Sequence, residues 1–167
     1  MIKMRILAID PSGNFKEGRG TSGIALIEDG KILNLNEIRA KDFKCAEEYW
    51  NFHLNLIHDI KHDYLVIEGY RLYNHAGNKA SNQTNSILET PQLIGVLRHY
   101  CYIHMKPLTI QYASDMKNRW SEKILVAKGY LEQKGNRYYW NGKPTNQHQR
   151  DALKHALHFE RYGKKER

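Results

Sequence analysis

The chain has 167 residues, 41% of them hydrophobic, and a formal net charge of +8. That is enough for about one domain with a real core, covering 1–167 with a basic tail at 162–167, and it excludes global disorder. No apolar run approaches the roughly 20 residues that span a bilayer, and the start Met1-Ile2-Lys3-Met4-Arg5 lacks the order of a signal peptide, so the expectation is a cytoplasmic protein with no membrane partner.

Residues 3–10 read as a strand ended by Pro11-Ser12-Gly13, followed by a glycine-rich basic loop to Gly20. Residues 22–27 read as a second strand. Asp29-Gly30 signals a hairpin, and 31–38 alternates apolar with polar as a half-buried third strand should. In 45–61, Trp50, Leu54, Ile57 and Ile60 recur at helical spacing. Residues 63–68 form a short apolar run suited to a strand buried on both faces. A polar, aromatic loop follows from Gly69, then a helix over 81–104, bent near Thr90-Pro91 because the residue before proline resists helical geometry. A fifth strand spans 107–112 and a helix 114–128. The segment 129–145 is rich in glycine, tyrosine and lysine and predicts a small hairpin around Lys134-Gly135-Asn136. A last helix covers 146–161. Cys45 and Cys101 fall in helices far apart in sequence and read as free thiols, without zinc-site spacing.

The order β-β-β-α-β-α-β-α-α implies an antiparallel meander followed by parallel crossovers. Placing strand four beside strand one gives an α/β fold with a five-stranded mixed sheet of order 3-2-1-4-5 and helices on both faces. Open α/β sheets bind ligands at the carboxyl ends of strands where the order reverses. Asp10 and Glu68 end those two strands. A strand-end Asp is ordinarily a turn residue, and Asp151 alone would be a first-turn acid favoured by the helix dipole. Glu68 is harder to dismiss, because glutamate is poor in buried strands. Three carboxylates converging on one point read as a cage for divalent cations.

The stretches Ile6-Leu7-Ala8-Ile9-Asp10-Pro11, Thr21-Ser22-Gly23, Leu65-Val66-Ile67-Glu68 and His148-Gln149-Arg150-Asp151-Ala152-Leu153 occur in the order that resembles RuvC-type Holliday junction resolvases of the ribonuclease H-like superfamily, especially short phage members. Tyr112 to Lys117 and Ser121-Glu122-Lys123 also resemble family segments. The resemblance implies a crossover junction endodeoxyribonuclease that hydrolyses phosphodiester bonds by a two-metal mechanism. It implies a branched-DNA substrate, a homodimer, and a host-cytoplasm location for a phage protein. Asp10, Glu68 and Asp151 would bind metal, with His148 at the fourth site position. Lys117 and Lys123 would approach DNA phosphate. Tyr70, Arg71 and Tyr73, in the loop after Glu68, are candidates for insertion at an opened junction. The first loop is longer than in cellular members, and 129–145 is an aromatic-basic insertion.

The residues also speak directly to chemistry. Oxygen ligands suit Mg2+, with Mn2+ as a second choice. His148 lies one turn before Asp151, so the two project from one helix face, and an imidazole there suits a proton transfer or a metal bond. His155 and His158 share the polar sector with Asp151 and are expected to be solvated. Lys128, Lys134, Arg137, Tyr138, Tyr139, Trp140 and Lys143 mix cations with aromatics, as phosphate contact and base stacking require. Ile87, Leu88, Leu93, Ile94, Val96 and Leu97 give the 81–104 helix more apolar surface than one face needs; part of it packs on the sheet, and a dimer contact would use some of the rest. Competing readings are a nuclease for flaps or forks, a ribonuclease H, and a non-catalytic nucleic-acid-binding module on the same fold. An actin-like ATPase would need a second lobe that this length does not allow.

Overall fold

The computed structural model describes residues 3–16, 18–71, 88–116 and 119–163. Tyr73 and Lys117 lie outside the described residues, as do Ile87 and the first part of the expected 81–104 helix. Three strands open the chain: β1 (Arg5–Asp10), β2 (Thr21–Glu28) and β3 (Lys31–Arg39). Asp29 and Gly30 both take positive φ, 47° and 73°, which gives a two-residue turn whose twist matches the flanking strands. Helix α1 (Ala46–Asp59), β4 (Tyr64–Glu68), α2 (Glu89–Ile103) and β5 (Leu108–Gln111) follow. The sheet order is 3-2-1-4-5, with β1, β4 and β5 mutually parallel and β2 and β3 antiparallel to their neighbours.

The expected 114–128 helix divides in two. A single turn, α3 (Ala113–Met116), is separated from α4 (Glu122–Ala127). The break has a local cause. The Ser121 hydroxyl accepts from the Ile124 amide and starts a new helix, while Trp120 is buried in the core just before it. Pro91 bends nothing in the described part of α2. It is the third residue of that helix, in the first turn where its missing N–H costs no hydrogen bond.

The expected hairpin is a three-stranded ribbon, β6 (Glu132–Lys134), β7 (Arg137–Trp140) and β8 (Lys143–Pro144). The chain then enters α5 (Gln147–Tyr162) through a reciprocal cap. Asn146 accepts from the Gln149 amide, and the Gln149 side chain accepts from the Asn146 amide.

Helices cover both faces. The central strand β1 sends Ile6 and Ala8 to one side, where α5 places Ala152, Leu153, Ala156 and Leu157. It sends Leu7 and Ile9 to the other, against Tyr49 and Ile57 of α1 and Leu93 and Leu97 of α2. Gly23 of β2 sets how closely α5 approaches, since a Cβ there would overlap the His148 carbonyl. Gly13 does the same for the loop after β1, which lies against Glu89 and Thr90 at the start of α2. Among the described residues, no helix is long and apolar enough to cross a membrane.

Candidate active site

Asp10 and Glu68 are the last residues of two adjacent parallel strands, with Ile9 paired to Ile67 one step before. The start of α5 crosses above them because Gly23, the register partner of Asp10, lets the His148 backbone come down onto the sheet. His148 Nδ1 meets Asp10 Oδ2 at 2.8 Å. Asp10 is only 9% exposed. Its carboxyl is pushed up from 3.8 to about 6, first by burial and then by the negative charges of Glu68 and Asp151, against the opposing pull of the His148 hydrogen bond. The same bond, with the charges of Asp10, Asp151 and Glu68, raises the His148 imidazolium above its ordinary value despite partial burial. All four sequence-selected side chains therefore share one electrostatic neighbourhood.

Each carboxylate also has a private partner. Asp151 accepts from Lys154 Nζ at 2.8 Å and from Gln147 Nε2 at 2.9 Å. Lys154 continues to Glu122 at 2.7 Å. Burial alone would lower this ammonium, but Asp151 and Glu122 together raise it. Glu68 Oε2 lies 3.0 Å from His155 Nε2, a close polar contact without the alignment of a hydrogen bond. The other ring nitrogen of His155 faces Gln111 Oε1 at 3.1 Å.

His155 is fully buried and His158 nearly so, which corrects the expectation that both are solvated. The sector they share with Asp151 turns toward the sheet and not toward water. His155, Lys154 and Gln111 are the site neighbours that sequence reasoning missed. Their signals were present: His155 and Lys154 follow Asp151 by four and three residues on a helix, and Gln111 ends the strand beside β4, in register with Glu68.

A buried polar brace supports the loop after Asp10. Ser22 Oγ accepts from the Ser12 amide at 3.0 Å, and the Tyr49 hydroxyl donates to the Ser12 carbonyl at 2.7 Å. His53 lies 2.8 Å from Ser22 Oγ and 2.7 Å from the Tyr49 carbonyl. Burial lowers the His53 pKa from 6.5 to about 4. The ring is therefore neutral at pH 7, donating through Nδ1 to the carbonyl and accepting from Ser22 through Nε2.

The expected DNA-contacting residues are placed as follows. Tyr70 is exposed beyond Glu68, and the Arg71 guanidinium sits 3.6 Å from the centre of the Tyr112 ring. Lys123 is exposed on α4. Of the ribbon residues, Lys134 lies over Tyr139, and Arg150 of α5 lies over Tyr138.

The donor set fits a hard divalent cation in its chemistry, with three carboxylates and one imidazole. It also fits in its electrostatics, because Asp10 is held near the negative charges of Glu68 and Asp151, and among the described residues His148 is the group that offsets them directly. The side chains are turned to their own partners, so among the described residues no three of them form a ready ligand group.

The sheet order and the helix crossing above it make a ribonuclease H-like fold. No protein-family model and no curated protein matches the sequence. Solved structures do. RuvC from Thermus thermophilus in complex with a Holliday junction substrate is similar at a TM-score of 0.64 and 17% identity, over 95% of this chain and 94% of that one. A second T. thermophilus RuvC structure is similar at a TM-score of 0.60 and 16% identity, over 96% and 97% of the two chains. At such identity the likeness establishes the fold.

Proposed function

We propose that this protein is a divalent-metal-dependent nuclease for branched DNA, with the Holliday junction as its foremost substrate and flaps or forks as the nearest alternatives. The observation that carries the reading is the acid pair at the carboxyl ends of β1 and β4, roofed by His148 and Asp151 of α5, on a fold shared with a junction resolvase. Asp10, Glu68 and Asp151 would hold Mg2+ or Mn2+, with His148 as a fourth ligand or a proton carrier. Such ions, when bound, activate water and stabilise the departing oxygen of a phosphodiester.

The chain's own residues supply the rest. Burial and the like charges of Glu68 and Asp151 keep Asp10 a high-energy anion, eager for a cation. His148, within bonding distance of Asp10, can hold or pass a proton at the attacking water. The brace from Ser22, Tyr49 and His53 fixes the loop after Asp10, which limits how far that carboxylate can drift. Tyr70, Arg71 and Lys123 would contact the DNA, together with Tyr73 and Lys117.

A homodimer would set two such sites against opposing strands of a near two-fold junction. The groove between α1 and α2, lined by Trp50, Leu54, Val96 and Ile103, supports that assembly. A cleavage assay with Mg2+ or Mn2+ on a four-way junction, a flap, a plain duplex and an RNA–DNA hybrid tests the function. Junction cutting that Asp10→Asn abolishes while binding persists is expected. Binding without cleavage under either metal would favour a non-catalytic module, a reading to which the Lys154 and His155 contacts lend some weight.

A further inference from the structure

The ribbon β6–β8 leaves a cleft beside the site that the chemistry above does not use. It lies between the ribbon and Asn34–Glu37 of β3, the outermost strand of the main sheet, and its floor is the cap of α5. We propose that this cleft binds one unpaired nucleotide of the DNA strand next to the cut, with the base against Trp140 and the phosphate near Lys143. The inference rests on the nuclease reading for its substrate, but its geometry stands apart from the metal site.

Size is the first argument. The cleft measures about 440 Å³, in the range of small-molecule sites, which suits a single nucleotide and not a duplex. Its lining is the second. An aromatic ring and a cation are the pair that unpaired nucleic acid requires, and Trp140 and Lys143 stand on adjacent strands in direct register. Asn34 and the remaining lone pairs of Glu37, whose Oε2 already accepts from Asn146, add polar groups suited to a base edge. Position is the third. Glu37 pairs with Gly23, and Gly23 pairs with Asp10, so the cleft wall is two strand spacings, about 10 Å, from the candidate reaction centre. A strand that passes over Asp10 and then across the first turn of α5, which rests on Gly23 between them, would bring a neighbouring nucleotide to the cleft.

The wall is also preformed. Thr145 donates to the Tyr138 carbonyl through both its amide and its hydroxyl, and Arg150 donates to the Thr145 carbonyl while covering the Tyr138 ring. Asn146 reaches across to Glu37, and Gln149 to the Leu35 carbonyl. A nucleotide entering this cleft orders little that is not already ordered, so little affinity is lost to entropy.

The test is a fluorescence titration of the full chain with a short single-stranded oligodeoxynucleotide, without metal. The wild type and Trp50→Phe should both be quenched on binding, and Trp140→Phe should lose most of that quenching while keeping its circular dichroism spectrum. Trp140→Ala, which removes the stacking surface, should bind about tenfold more weakly. Lys143→Glu, on an exposed position that the fold does not need, should also weaken binding. Quenching that survives Trp140→Phe, or affinity unchanged in Lys143→Glu, would overturn the proposal. An oligonucleotide that fails to bind the wild type at all would overturn it too. Junction cleavage is read separately, so a protein that cuts junctions but ignores these substitutions sinks the cleft and spares the nuclease.

Discussion

Asp10→Asn is the perturbation that separates stability from function most cleanly. The Asp10 carboxyl rises from 3.8 to about 6 on folding, so the folded chain holds this proton more tightly than the unfolded chain does. Its effect on stability is neutral below about pH 4, turns unfavourable as the pH climbs toward 6, and is fully unfavourable above that. A shift of that size corresponds to about 3 kcal/mol. Asparagine has the shape without the charge, yet its bond to His148 is weaker than a charge-assisted one. A net stabilisation of about 2 kcal/mol at pH 8 follows, shrinking toward zero or reversing at pH 4. Urea denaturation of both proteins at the two pH values measures it. Mg2+ should raise the midpoint of the wild type at pH 8 and leave that of Asp10→Asn nearly unchanged, because binding to the folded state stabilises it. A variant less stable than the wild type at pH 8 would refute the claim that Asp10 is held at an energetic cost for a cation.

Gly23→Ala should destabilise the fold by about 3 kcal/mol in a thermal melt and cut nuclease activity further than that loss explains, since the new methyl drives the His148 backbone off the sheet. Lys154→Met should cost about 2 kcal/mol in denaturant by leaving Asp151 and Glu122 without their shared cation, and Mg2+ should stabilise this variant more than the wild type. His155→Ala leaves Glu68 and Gln111 without the ring between them; a junction-cleavage assay should show a larger fall in rate than in binding. His53 is neutral when folded, with its pKa lowered from 6.5 to about 4, so its stabilising effect is whole above about pH 6.5 and fades as the pH falls toward 4. His53→Gln should flatten that acid limb in a melting-temperature profile.

The sheet was legible because strand-length apolar runs, one unambiguous hairpin turn and two crossover helices leave few arrangements. Asp10 and Glu68 were legible for the same reason: the order 3-2-1-4-5 places two strand ends side by side whatever their side chains do. The 114–128 segment was not, because its helical periodicity hid a serine cap and a tryptophan needed by the core. His155 was misread because polarity alone cannot tell a solvent face from one folded over a polar site. A histidine four residues beyond a buried-site aspartate lies under the same roof, and only the packing of α5 on β1, β2 and β4 shows which way that roof faces.

The reciprocal cap at Asn146 and Gln149 joins the ribbon to the helix over the acid cluster. The helix bearing His148 and Asp151 begins where the ribbon ends, and the same two side chains fasten that joint to the border strand. A substitution that reshapes the ribbon will tug on His148 and Asp151, so the cleft beside the ribbon and the acid cluster under the helix are bound to evolve in step.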